Sequence, residues 1–225
     1  MTVKPSPDRL YGRQRTHALR PRQGVLLDVT LPRLRWGAEN PFGPEIDRLW
    51  VEVGFGGGEH SRALVAANPG AGLIACEVFE QGLCSLLAAL VPEGGEATGA
   101  LPGNLRVWDD DARALLRGLP EGSVDRLFLM FPDPWPKARH AKRRFVHPDT
   151  VALVASRLKP GAEWRIASDD PTYQNWVEEV MGAQAFFKGA PAMGERPEGW
   201  PPTRYEAKAR AAGRRPLYWV FRRRP

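Results

Sequence analysis

From residue 48 onward, short apolar runs alternate with longer runs of helical spacing. This alternation constrains the fold more than any other feature of the chain. "RLWVEVGF" (48–55), "AGLIACEV" (71–78), "NLRVWDDD" (104–111), "SVDRLFLMF" (123–131), "AEWRIASD" (162–169) and "PLYWVFRR" (216–223) read as strands. "GEHSRALVAANP" (58–69), "EQGLCSLLAALV" (80–91), "ARALLRGL" (112–119), "PDTVALVASRLKPG" (148–161) and "PTYQNWVEEVMG" (171–182) read as helices, with Asn68-Pro69 and Pro160-Gly161 as stops. "PEGGEATGALPG" (92–103) reads as a loop. Such a series predicts an α/β fold with a doubly wound, mainly parallel sheet. Ligands in such folds bind at the carboxyl ends of the strands. Four acids stand at those ends: Glu77, Asp111, Asp133 and Asp169.

The length of 225 residues suits one such domain with a terminal extension. Residues 1–35 read as a basic N-terminal arm and residues 36–225 as the domain. Net charge is +6, unevenly spread. Residues 1–35 carry eight Lys/Arg and two Asp, residues 137–144 five cations, and residues 201–225 eight cations and one Glu. The remaining body is strongly acidic. This layout suits a polyanion binder if the segments share a face, and equally three independently solvated segments. The cations are 26 Arg and only 6 Lys, as heat adaptation or G+C-rich codons would each produce. No apolar run reaches membrane-spanning length, and the N-terminus lacks a signal-peptide core, so a cytosolic protein without membrane association is expected. Cys76 and Cys84 match no metal spacing and the four His are scattered, so no metal site is expected.

The first strand–helix turn is "VEVGFGGGEH". Gly54, Gly56 and Gly58, with Gly57, let a backbone approach a ligand closely. The pattern departs from the dinucleotide fingerprint G-x-G-x-x-G, because Glu59 stands where the third glycine belongs. A carboxylate there opposes a pyrophosphate at the helix N-terminus, and Glu52 adds a second acid. The set suits a cationic ligand without phosphate, such as S-adenosylmethionine. Glu77, 19 residues after Gly58, suits the hydroxyls of a ribose, and Asp111 an adenine amino group. Unrelated surface acids beside a Rossmann-like turn are the plainer alternative.

After the fourth strand comes "FPDPWPKARHAKRR" (131–144), which joins three prolines, one acid and five cations. With "VEVGFGGG", "IASDDPTY" and "PPTRYEAKARAAGR" it spans residues 50–214 in an order that closely resembles the bacterial tRNA (guanine-N7-)-methyltransferase family. Two departures stand out: "FEQGLCSLL" differs from the usual turn after the ribose acid, and Asp170 occupies a position where the family commonly has Trp. The resemblance implies a class I S-adenosylmethionine-dependent methyltransferase fold, Rossmann-like with a seven-stranded sheet. It implies S-adenosylmethionine as methyl donor and N7 of the variable-loop guanine (guanine 46) of tRNA as acceptor. It implies Glu52, Gly54, Gly56, Gly58, Glu77 and Asp111 for the cofactor, and Asp133 as the active-site acid, also at the cofactor. Lys137, Asp169, Thr203, Arg204, Tyr205 and Glu206 match substrate-binding positions.

Chemistry supports this independently. Guanine N7 carries a lone pair and no proton, so the transfer needs positioning more than a base. A carboxylate at Asp133 can accept from guanine N1–H and N2–H₂ and ease the charge growing on the ring. Cations such as Arg143 and Arg144 can then take phosphates. Plainer readings stay open: "PDPW" as a turn, "KARHAKRR" as a solvated face, and "TRYE" as a capping box with Thr203 as N-cap and Glu206 at N3. An amino-group methyltransferase is disfavoured because its Asp/Asn-Pro-Pro-aromatic order is absent. An RNA-binding module that has lost its cofactor is disfavoured by the intact acid series.

Overall fold

A computed structural model describes residues 17–225, so the first part of the basic N-terminal stretch lies outside the described residues. The strands form a seven-stranded sheet in the order β3-β2-β1-β4-β5-β7-β6. The described residues group into two compact units, 17–115 and 116–225.

In the first unit, β1 (Arg48–Val53), β2 (Ala71–Cys76) and β3 (Leu105–Trp108) pair in parallel, with β2 in the middle. All six residues of β2 are buried, as an apolar strand covered on both faces must be. Helices α3 (Glu59–Ala67) and α4 (Glu80–Leu90) follow β1 and β2, and α5 (Ala112–Gly118) follows β3.

Residues 21–34, expected within the arm, are helical. α1 (Pro21–Val25) continues through a π-helical turn (Leu26–Thr30) into α2 (Leu31–Leu34). Pro32 explains the wide turn. In an α-helix its ring would strike the Asp28 carbonyl; here the Leu31 N–H donates to Leu26 O, and the helix runs on. Its inner side is tied down by polar contacts. The Thr30 hydroxyl donates to Glu96 O at 2.9 Å, Arg33 donates to Glu96 O and Gly99 O, and Arg22 pairs with the Glu96 carboxylate at 2.8 Å. The segment thus also pins the 92–103 loop. Leu26, Leu31 and Leu34 are buried, so apolar burial holds what charge counting assigned to an arm.

Arg106 of β3 performs a similar task. Its guanidinium donates to the carbonyls of Asn40, Pro41, Gly103 and Leu105 at 2.6–2.9 Å and lies over the Phe42 ring.

The second unit holds β4 (Val124–Met130) parallel to β5 (Leu158–Ser168), with β7 (Leu217–Arg223) antiparallel to β5 and β6 (Phe187–Gly189) antiparallel to β7. Its helices are α6 (Pro148–Arg157), α7 (Pro171–Gly182) and α8 (Arg204–Ala211), with a 3₁₀ helix at Ala138–Arg143. One expectation is corrected. α6 ends at Arg157, and Pro160-Gly161 fall inside β5, at a register irregularity where Gly161 has φ +79°. The three-residue β6 carries too little pattern to be seen in sequence. The core is aromatic: Trp164 meets Phe145 and Phe187 edge-on, and Trp200 meets Tyr218.

Replacing Arg106 by Met keeps an unbranched apolar stem but leaves its carbonyls unpaired. At about 1–3 kcal/mol for each one that stays buried, the expected loss is about 2–4 kcal/mol. Urea unfolding reads it as a lower midpoint at constant slope; an unchanged midpoint would show that water replaces the guanidinium without cost.

Candidate active site

The glycine turn is built from both sides of β1. Gly54, Gly56 and Gly58 have φ of +73°, +61° and +81°, where a side chain is strained. The N–H groups of Gly54 and Phe55 both donate to Cys76 O at the end of β2. A Cβ on Gly54 would meet nothing within 4 Å, whereas one on Gly58 would lie 2.6 Å from Leu86 Cδ1. Gly54 therefore faces open space, and Gly58 marks tight packing against α4. Gly82 of α4 plays the matching part, since its Cβ would lie 2.5 Å from Gly56 O.

The acids around this turn have protein partners. Glu52 is buried, with Oε1 at 2.8 Å from His60 Nδ1 and Oε2 accepting from the Ser61 hydroxyl at 2.5 Å. It fastens β1 to the first turn of α3, behind the glycines. Glu77 Oε2 accepts from Gly56 N–H at 2.7 Å, and Oε1 from the N–H groups of Val78 and Phe79. It therefore shapes the loop from in front. Asp111 lies beyond the end of β3 and caps α5, accepting from Arg113 N–H, and its carboxylate also pairs with the Arg113 guanidinium at 2.6 Å. His60, Ser61 and Arg113 were not anticipated; an acid followed two residues later by Arg is the only signal the sequence offered for any of them.

In the second unit the chain leaves β4 through two left-handed residues. Phe131 (φ +54°) still donates to Ala167 O of β5, and Trp135 has φ +44°. Non-glycine residues held there cost about 1–3 kcal/mol each and persist only when their surroundings hold them. Pro132, Pro134 and Pro136 stiffen the stretch between. Asp133, the expected active-site acid, is exposed, and among the described residues its carboxylate accepts no hydrogen bond.

The cationic cluster divides in two. Lys137 and Arg139 are exposed, and Arg143 lies over the Trp135 ring at 4.8 Å, with His140 edge-on to the same ring. Burial and the nearby Arg143, Arg139 and Lys137 charges hold the His140 imidazole below its usual range. Arg144 corrects the expectation of a phosphate contact. It is only 5% exposed, donates to Pro134 O and Trp135 O, and lies over Trp176.

Asp169 and the "TRYE" element belong to the same unit. Asp170 is the N-cap of α7, its side chain accepting from Tyr173 N–H, which explains an acid at that position. Thr203 caps α8 as expected, accepting from Glu206 N–H at 3.0 Å. The carboxylate of Glu206 does not complete a capping box: it is buried between Arg196 and Arg210, at 3.0 and 3.2 Å. Arg204 lies over the Tyr205 ring. Burial beside Glu206 pushes the Tyr218 phenol up to about 12. α8 closes in a Schellman motif: Arg214 N–H donates to Ala209 O, Gly213 N–H donates to Arg210 O, and Gly213 has φ +70°. The turn delivers Arg214, which pairs with Asp169 at 2.6 Å. Among the described residues no His/Cys/Asp/Glu group is arranged to hold a metal, and no helix is long and apolar enough to cross a membrane.

A family model described as "Putative methyltransferase" matches residues 47–218. The tRNA (guanine-N(7)-)-methyltransferase of Granulibacter bethesdensis is 67% identical over 225 residues, covering 100% of this chain and 99% of that protein. Its namesake in Rhodospirillum rubrum is 42% identical over 241 residues, covering 100% and 92%. Among solved structures, the 16S rRNA methyltransferase KamB aligns with a TM-score of 0.57 at 18% identity, over 80% of this chain and 90% of that one. An rRNA methylase from Streptococcus thermophilus aligns at 0.50 and 17% identity, over 93% and 100%. The fold is that of class I S-adenosylmethionine-dependent methyltransferases.

Gly58→Ala should cost about 2–4 kcal/mol, since it adds overpacking against Leu86 to backbone strain. Gly54→Ala should cost only the strain, about 1–2 kcal/mol. Thermal unfolding of the pair checks this, and equal losses would remove the Leu86 contact from the account.

Proposed function

Because the chain belongs to the tRNA (guanine-N(7)-)-methyltransferase family, we propose that it transfers the methyl group of S-adenosylmethionine to N7 of the variable-loop guanine of tRNA. The observation that carries the reading beyond the family is Asp133: an exposed carboxylate in a strained, proline-stiffened elbow, followed directly by exposed cations.

The first unit fits the cofactor. Gly54 has open space where a side chain would stand, and Glu77, just after β2, suits a ribose. When bound there, S-adenosylmethionine supplies an electrophilic methyl group on a sulfonium. Glu77 and the glycine turn would hold it, with Glu77 both shaping the turn and serving the ribose. Glu52 supports this reading from behind, by fixing α3 to β1. The Asp111 carboxylate is engaged by Arg113, so its contribution is to set the start of α5 beside the adenine.

The second unit handles the RNA. N7 needs no base, so the task of Asp133 is to accept from guanine N1–H and N2–H₂. That selects guanine over adenine, which presents no such donor pair, and stabilises the ring as it gains charge. Lys137, Arg139 and Arg143 take phosphates, and the Trp135 ring under Arg143 keeps that guanidinium in place. Asp169, Arg204 and Tyr205 form the second substrate contact, with Thr203 capping α8, Glu206 buried between Arg196 and Arg210, and Arg214 holding Asp169 in position.

Incubation with radiolabelled S-adenosylmethionine and unmodified tRNA should place the label at one nucleotide, where borohydride and aniline then cleave the chain, as they do at N7-methylguanine. Label that resists cleavage would mean transfer to another atom and would end the proposal. Asp133→Asn should lower the single-turnover rate about a hundredfold or more, equivalent to about 2.7 kcal/mol. It turns one acceptor into a donor that faces guanine's own donors. tRNA affinity, set mainly by phosphate contacts, should change only a few-fold by filter binding. A near-normal rate would return the elbow to the status of a turn.

A further inference from the structure

We infer that Arg144 is a positioning residue: its buried guanidinium sets the backbone of the Pro-Asp-Pro-Trp elbow and thereby orients Asp133 on one side and Arg143 on the other. Charge alone placed Arg144 with the phosphate-binding cations; its surroundings do not. It is 5% exposed, its Nε donates to Pro134 O at 3.1 Å, and an NH2 group donates to Trp135 O at 3.0 Å. One face of the guanidinium is covered by Trp176 of α7, 4.8 Å away.

The two accepting carbonyls belong to the two peptide planes that flank the Trp135 α-carbon. Fixing both planes fixes φ and ψ of that residue together, and this is the residue held at φ +44°. Asp133 lies two residues before it. Its ring is the surface on which Arg143 lies, with His140 at its edge. A single planar fork therefore governs the direction of the exposed acid and of the neighbouring cation.

The clamp is itself anchored. Trp176 Nε1 donates to Val146 O, and Val146 N–H donates to the Tyr173 hydroxyl, so the backbone just after Arg144 is tied to α7 through both groups of one residue. Lysine cannot substitute. An ammonium is a point charge without the planar two-donor geometry or the flat face that stacks on Trp176.

The test uses the full chain labelled with 5-fluorotryptophan, read by ¹⁹F NMR and by kinetics. The Trp135 and Trp164 lines are assigned by single Trp→Phe variants. In Arg144→Lys the Trp135 line should broaden or double while the line of buried Trp164 stays unchanged. The single-turnover methylation rate at saturating tRNA and cofactor should fall about tenfold or more. The slope of log affinity for tRNA against log salt should stay that of wild type, whereas Arg143→Ala should reduce it by about one. A reduced slope in Arg144→Lys with an unchanged Trp135 line would make Arg144 a phosphate ligand and overturn the inference. An unchanged line with an unchanged rate would also overturn it. If Arg144→Lys also loses the Trp164 line, Trp176→Leu decides. It removes the stacking face and must alter the Trp135 line with Trp164 intact, and failure to do so overturns the inference. The kinetic arm rests on the proposed function, while the NMR arm does not: a wild-type chain that methylates no tRNA would end that proposal and leave this one to the Trp135 line.

Discussion

A chain that leaves a sheet must find donors for the carbonyls that no longer have a ladder partner. Here guanidinium groups supply many of them. Arg33 meets the carbonyls of the 92–103 loop, Arg106 those of Asn40, Pro41, Gly103 and Leu105, Arg144 those of the elbow and Arg157 that of Leu119, while Arg223 meets that of Ala155 near the end of α6. A guanidinium carries five donors in a rigid plane, so one side chain can hold two or more peptide groups at once. The excess of arginine over lysine thus has a structural use inside each unit. The irregular segments that carry the chemistry keep their shape without belonging to helix or sheet.

The same arginines explain what was hidden in the sequence. The alternation of strands and helices was legible because each run buries a face of its own period. The strand-end acids were legible because their positions follow from the fold. The tasks of those acids were not. Glu52 meets His60 and Ser61 only once α3 folds back on β1, and Asp111 meets Arg113 across a helix start. Arg143 and Arg144 are adjacent and alike in sequence, yet one stacks on Trp135 beside the exposed cations and the other is buried beneath the elbow. Nothing local separates them, because the difference is made by Trp176 from α7.

The N-terminal stretch gives the converse case. Its charge suggested an arm, but Leu26, Leu31 and Leu34 recur at near-helical spacing, and these residues bury. The π-helical turn and Pro32 had masked that period. In Thr203–Glu206 the capping pattern was half right. The threonine caps, while the glutamate is taken up by two arginines from outside the helix's first turn.

The closure of α8 has a dynamic consequence. The helix has eight residues and buries only Glu206 and Ala209, so little apolar surface secures it. Helices this short are marginal without tertiary support. Its last turn, the left-handed Gly213 and the Arg214–Asp169 pair share the same few residues. Fraying of that turn and release of Asp169 are therefore one cooperative opening rather than two, and amide exchange at Gly213 and Arg214 would report how often the aspartate is set free.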